Sequence, residues 1–276
     1  MDKPLPQLKD GAQTVFFQAG GEWSFLRTPR NYKSAKGSGA VPLVLWCRGM
    51  GSYVRDGDSD WMKKPPAKAI VDKLVDSGYA VAGSELTGDH YGRPAAVAAL
   101  ITLYRMMLDK ANVDADKVGM YTSAGMGGTV MWLAAIGPLH GKIKGVVFAQ
   151  AVASLASMLH YRKEVICKAF GMPDDTPDDI IAAATAGSDP LPQTELMLKA
   201  RGKDFVKGLP KTLLISGDKD ANVIYEKNAL ALHKLLTAHG ADSTLHPLPG
   251  VAHVLHEMLE PIPTLHADFF KKVFGK

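Results

Sequence analysis

Four stretches hold side chains whose type and spacing could do chemistry. Residues 118–132 read Val-Gly-Met-Tyr-Thr-Ser-Ala-Gly-Met-Gly-Gly-Thr-Val-Met-Trp, a strand, a turn of small residues and a helix. This is the setting of a nucleophile elbow, which holds one side chain on a strained turn at the head of a helix. The turn needs small residues two before and two after its apex, because the backbone doubles back there. A glycine loop, Arg48-Gly49-Met50-Gly51-Ser52, could present backbone N–H groups to a developing oxyanion. Downstream come Gly217-Asp218-Lys219-Asp220 and Gly250-Val251-Ala252-His253. An acid that orients an imidazole, and an imidazole that takes a proton from a hydroxyl, would complete a nucleophilic site.

The elements that must position these residues alternate along the chain. Residues 14–18 and 22–26 flank Gly20-Gly21 and predict an antiparallel hairpin. Residues 41–47 form a continuous apolar run, the pattern of a strand covered on both faces. Shorter apolar runs follow at 79–83, 118–121, 145–149, 212–216 and 243–248. Helical spacing appears over 67–76, 95–111 (with Pro94 at the first helical position), 126–136 and 224–238. Strands alternating with helices predict a mainly parallel, doubly wound α/β sheet. The glycine loop, the elbow, the acid and the histidine each follow a predicted strand, where open α/β sheets place their sites. Between 151 and 209 the alternation stops for a long helical stretch, too long for a simple connection. The expected organisation is a core of 1–151 and 209–276 with a helical cap insertion at 152–208.

On these motifs the chain resembles the α/β-hydrolase family, from about residue 41 to the C-terminus apart from the cap. The resemblance implies an α/β-hydrolase sheet and a Ser–His–Asp type site that acts on a carboxylic ester or related acyl bond through an acyl-enzyme. It makes Asp220 the acid, His253 the base, and the N–H groups of Gly49, Met50 and Met126 the oxyanion hole. Asp89, His90 and Tyr91, in the loop Gly88–Gly92, would face the substrate. The family's usual elbow reads Ser-x-Gly-Gly, and Gly125-Met126-Gly127-Gly128 aligns with it without gaps, placing glycine at the apex. Centring the turn on Ser123 restores a nucleophile but puts bulky Tyr121 where a small residue belongs. Two readings therefore stand open: a hydrolase with Ser123 as nucleophile, or a non-catalytic or nucleophile-substituted protein that binds a small ligand, with Gly125 at the nucleophile position. Loss of a triad nucleophile costs on the order of a millionfold in turnover.

Composition bounds the alternatives. The 276 residues are 46% apolar and 22% charged, an ordinary globular mixture, and the net charge of +4 is spread without a basic stripe for nucleic acid. No apolar stretch reaches membrane-spanning length, and the start lacks a basic segment followed by an apolar one. The two cysteines, Cys47 and Cys167, have neither zinc nor redox spacing and read as buried free thiols of a cytoplasmic protein. His253, His256 and Glu257 lack the H-E-x-x-H spacing, so no metal is expected, and the resemblance implies no cofactor. Gly125–Gly128 precede no G-K-[ST], and the next strand ends in no acid for a ribose, so the turn is not read as a nucleotide loop. Asp218 competes with Asp220, and the spacing from Gly217 favours Asp220. Within the cap, Met158, His160, Tyr161, Phe170 and Met172 either line an apolar pocket or hold the cap to the sheet. The expected partner is a small-molecule acyl substrate or ligand, with neither nucleic acid nor membrane; the oligomeric state is left open.

Overall fold

The computed structural model describes residues 3–37, 39–122, 125–253 and 260–275. Eight strands form one sheet: β1 (Gln13–Ala19), β2 (Glu22–Thr28), β3 (Val41–Trp46), β4 (Ala80–Ser84), β5 (Val113–Thr122), β6 (Gly145–Ala149), β7 (Lys211–Gly217) and β8 (Ser243–Leu248). Their order across the sheet is β1-β2-β4-β3-β5-β6-β7-β8. β1 and β2 form the expected antiparallel hairpin, β2 also runs antiparallel to β4, and every other pairing is parallel.

The apolar runs are strands covered twice, and alternation sorts their side chains. From β3, Leu43 and Leu45 enter one core cluster while Val44 and Trp46 enter the other. β6 does the same with Val146 and Phe148 against Val147 and Ala149. The first face is covered by α2 (Pro94–Lys110), α3 (Gly127–Ile136), α6 (Pro190–Lys207) and α7 (Ala229–Ala238); the second by α1 (Pro65–Asp76) and α8 (Ile262–Phe274). Glycine in β5 makes the second packing possible, since a Cβ on Gly119 would overlap the Phe270 ring.

Three expectations needed adjustment. β5 begins at Val113, five residues before the apolar run, with a register shift against β3 between Val41 and Leu43. The helix read over 224–238 is a short turn at Tyr225–Lys227 followed by α7. The interruption is Asn228, buried and with φ −121° and ψ −89°. Its Oδ1 accepts from Ala153 N and Ser154 N, both at 2.9 Å, and its Nδ2 donates to Ser157 Oγ and Ile224 O. It thus ties α7 to the segment after β6. The insertion at 152–208 is all helical, with α4 (Leu159–Phe170), α5 (Asp178–Thr185) and α6. Its last helix belongs to the core layer: Leu198 and Phe205 of α6 join the main cluster, and Trp132 of α3 donates to Thr194 Oγ1 at 2.7 Å. The piece that stands over the sheet's end is therefore shorter than 152–208. Among the described residues, no helix is long and apolar enough to cross a membrane.

His266 in α8 is fully buried edge-on to Tyr121, with Nδ1 hydrogen bonded to Ile262 O at 2.8 Å. Burial pushes its pKa down to about 4. The folded form therefore binds fewer protons than the unfolded chain between about pH 6.5 and 4, so stability falls as pH drops through that window. Equilibrium unfolding across it should show this loss, and His266→Leu should reduce its slope.

Candidate active site

The loops after β3, β4, β5, β6, β7 and β8 all lie at the carboxyl ends of the parallel strands. The chain passes from β3 to β4 on one side and then to β5 on the other, so the strand order reverses around β3. That reversal is where such sheets leave a crevice.

Asp220 and His253 meet there. Asp220 Oδ2 lies 2.7 Å from His253 Nδ1, and the carboxylate is wholly buried. Its Oδ1 accepts from Asn222 N at 2.9 Å and Val223 N at 2.8 Å, so the turn's own backbone fixes the carboxylate. With Nδ1–H donated to Asp220, the free lone pair of the neutral imidazole sits on Nε2. Asp218 does something else: its Oδ1 accepts from Gly250 N at 2.7 Å, clamping the histidine loop to the end of β7. Gln150 adds a second clamp, Nε2 to Ala252 O at 2.8 Å. Gly217 allows this closeness, because a Cβ there would strike the backbone of Val251.

Gly125 lies in the strand-to-helix turn, just ahead of α3. Its φ is +31°, its N–H donates to Gln150 O at 3.0 Å, and its carbonyl accepts from Gly128 N as α3 begins. A Cβ on Gly127 would lie 2.5 Å from Cys47 O and 2.7 Å from Arg48 O, and one on Gly128 2.5 Å from Val152 O. A Cβ on Gly125 would meet nothing within 4 Å. Among the described residues of the turn, the crowding thus falls on Gly127 and Gly128 and spares Gly125. Ser123 and Ala124 lie outside the described residues, as do His256 and Glu257. Tyr121 is a buried strand residue packed against His266.

Gly125 and His253 line one cavity of about 100 Å³ with Met50, Tyr91, Met126 and Arg162 among its walls. Among the described residues, neither Met50 N–H nor Met126 N–H donates to another group. Gly49 is the less direct participant: it does not line the cavity, and its carbonyl accepts from Ser52 N. From the insertion, Met158 and Tyr161 line the cavity, while His160 bridges Ser157 O and Ala221 O and so ties the insertion to the acid's turn.

The loop after β4 divides otherwise than its sequence suggested. Tyr91 lines the cavity, with its hydroxyl 3.2 Å from Met50 Sδ. His90 does not: it is fully buried, its Nδ1 accepts from Gly92 N, and burial together with the nearby Arg48 charge pushes its pKa down to about 3. Asp89 also lies off the cavity, accepting weakly from Gly51 N and facing Arg48 at 3.7 Å. Arg48 organises this region. Its buried guanidinium donates to Gly88 O, Ser52 O and Glu85 O, with the Glu85 carboxylate 3.7 Å away. It binds the glycine loop to the loop after β4. The sequence reading valued Arg48 only for its backbone neighbours and passed over Gln150 and Asn228, which carry no local signal. The four described non-glycine residues with positive φ, Leu86, Thr87, Tyr91 and Gln150, all lie in loops beside the crevice, where strain is held by surrounding contacts.

No protein-family model matches the chain, and no curated protein matches its sequence. Solved structures do match. A truncated carbohydrate esterase from gut microbiota superposes with a TM-score of 0.68 over 99% of this chain and 100% of its own, at 15% identity. Est1E from Butyrivibrio proteoclasticus gives 0.64 over 97% and 100%, at 17% identity. Carboxyl esterase 2 from the mycorrhizal fungus Tuber melanosporum gives 0.60 over 98% and 92%, also at 17%. The fold is that of the α/β-hydrolases. In this α/β-hydrolase fold the expected mainly parallel sheet, N-terminal hairpin and helical insertion are all present.

The crowding argument orders two substitutions. Gly127→Ala must push apart backbone carbonyls and should cost about 3 kcal/mol, the upper range for overpacking. Gly125→Ala meets open space and should cost about 1 kcal/mol for its positive φ. Denaturant midpoints of the two variants check the order; equal costs would mean the turn is centred elsewhere.

Proposed function

We propose that this chain hydrolyses a carboxylic ester or related acyl bond of a small molecule in the cavity beneath the insertion. The observation that carries the reading is the Asp220–His253 pair opening on a cavity that Met50 and Met126 also line, both with N–H groups free to hold an oxyanion. That several proteins of similar structure are esterases supports it.

In this mechanism Ser123, the hydroxyl that the elbow sequence offers, attacks the acyl carbon while His253 Nε2 takes its proton. Asp220 keeps the imidazole in the required tautomer and stabilises the imidazolium that forms. Negative charge on the former carbonyl oxygen is met by the N–H groups of Ala124, the residue after the nucleophile, and of the Gly49–Gly51 loop. The C–O bond then breaks, the imidazolium gives its proton to the leaving alcohol, and an acyl-serine remains. Water attacks it with His253 again accepting the proton, releasing the acid and restoring Ser123. No cofactor enters these steps. Two unpaired buried cysteines suit a reducing compartment, and we place the reaction in the cytoplasm.

One observation favours a second reading. Gly125, in the cavity wall, has a positive φ and open space where a Cβ would stand. A chain of this kind would bind an acyl ligand without turning it over. Fluorophosphonate labelling and 4-nitrophenyl acetate hydrolysis, compared with Ser123→Ala, His253→Ala and Gly125→Ser, separate the two. Labelling and turnover that vanish in Ser123→Ala and fall at least a thousandfold in His253→Ala are expected for the hydrolase. An inert chain that Gly125→Ser converts into a labelled one would establish the binding protein.

A further inference from the structure

We propose that Arg162 anchors an anionic group of the ligand, so that the preferred substrate is an ester whose short acyl chain ends in a carboxylate, the monoester of a short dicarboxylic acid. This deepens the function proposed above and rests on that reading for the ester part alone.

The argument starts from the cavity wall. Met50, Met126, Val152, Met158 and Val223 make it largely apolar, yet Arg162 lines it together with His253 and Gly125. Among the described residues, no aspartate or glutamate lines it. A guanidinium beside apolar side chains keeps more of its attraction for an anion than one in open water. Nor is the charge used elsewhere. Arg27 pairs with Asp72, and buried Arg48 faces Glu85 and Asp89. The neighbouring Lys163 takes Asp178 at 2.8 Å. No carboxylate of the described residues lies within ion-pair distance of Arg162.

The guanidinium is also held in place. Arg162 Nη2 donates to Tyr161 Oη at 2.8 Å, and its Cζ stands 4.0 Å from the Tyr161 ring centroid. One edge is thereby occupied, while further N–H groups of the fork stay available for a carboxylate. The backbone contributes: within α4, Arg162 leaves helical geometry, with φ −135° and ψ 26°. This break falls where the two side chains of 161 and 162 both reach the cavity wall. A regular helix would send consecutive residues about 100° apart.

Arg162 and His253 line the same cavity. A short acyl chain is therefore enough to join a carboxylate at the guanidinium to an ester carbonyl on the His253 side.

The test compares two esters of equal chain length, 4-nitrophenyl hydrogen glutarate and 4-nitrophenyl valerate, on the whole chain and on Arg162→Gln and Arg162→Lys. The wild-type chain should favour the charged ester in kcat/KM by about tenfold or more, the value of a charge-assisted pair. Arg162→Gln should erase that preference mainly through KM, and Arg162→Lys should restore part of it. Equilibrium binding of monomethyl glutarate and methyl valerate to chains that also carry His253→Ala, followed by calorimetry, repeats the comparison without turnover. If neither nitrophenyl ester is hydrolysed but Arg162→Gln still abolishes selective glutarate binding, the hydrolase reading fails and the anion site stands. A charged-to-neutral ratio near one in the wild type, or one that Arg162→Gln leaves unchanged, overturns the inference in either format. Thermal unfolding of Arg162→Gln near the wild-type midpoint shows that a lost preference does not come from a lost fold.

Discussion

Everything at the crevice depends on how closely the head of α3 approaches the end of β3. The backbone of Gly127 sits against the carbonyls of Cys47 and Arg48, and that of Gly128 against Val152, with no room for a Cβ at either position. This approach puts Met126 and Met50 on the walls of one cavity although they lie 76 positions apart in sequence. Any side chain at Gly127 would wedge the helix from the sheet and separate the two N–H groups. Gly125, just ahead of α3, has a positive φ. Strand, turn and helix are thus one mechanical unit whose tolerance is set by two missing methyl groups.

Polar staples hold the remaining loops to that unit. Arg48, Asn228, Gln150 and Asp220 are all buried, and each reaches across from one strand-end loop to another. Burying such groups is costly unless they are hydrogen bonded. Here each bonds chiefly to backbone groups that no regular ladder could serve. Loops carry many such groups, and a site made of six loop segments has to satisfy them somehow. Using side chains for the purpose also fixes the spacing between loops. Arg48 sets the distance from the glycine loop to Tyr91, and Gln150 and Asp218 set that from the sheet to His253.

The insertion converts this open crevice into a cavity. Its apolar residues Leu155, Met158, Leu159, Ile166 and Ile181 form a third cluster with Tyr91, Met126 and Val223 from the sheet's end. The cluster is small and apolar, so it closes the site by burial alone and imposes little chemical selectivity. Charge enters through the break in α4, where Tyr161 and Arg162 reach the same wall.

The sequence by itself determined the layers, the strand sequence and the chain order of glycine loop, elbow, acid and histidine. These rest on periodicities of two and 3.6 and on glycine placement, which are local properties of the chain. It favoured Asp220 over Asp218 by the spacing from Gly217, and the contact with His253 is made by Asp220. It could not centre the elbow, since Ser123 and Gly125 both satisfy a local rule for small residues. Only the carbonyls of Cys47 and Arg48, contributed by another strand, show that the steric demand falls on Gly127. Nor could it withdraw His90 and Asp89 from the cavity, assign α6 to the core layer, or find Arg48, Asn228, Gln150 and Arg162. Those roles come from contacts between residues far apart in the chain, and a residue's own neighbours in sequence carry no trace of them.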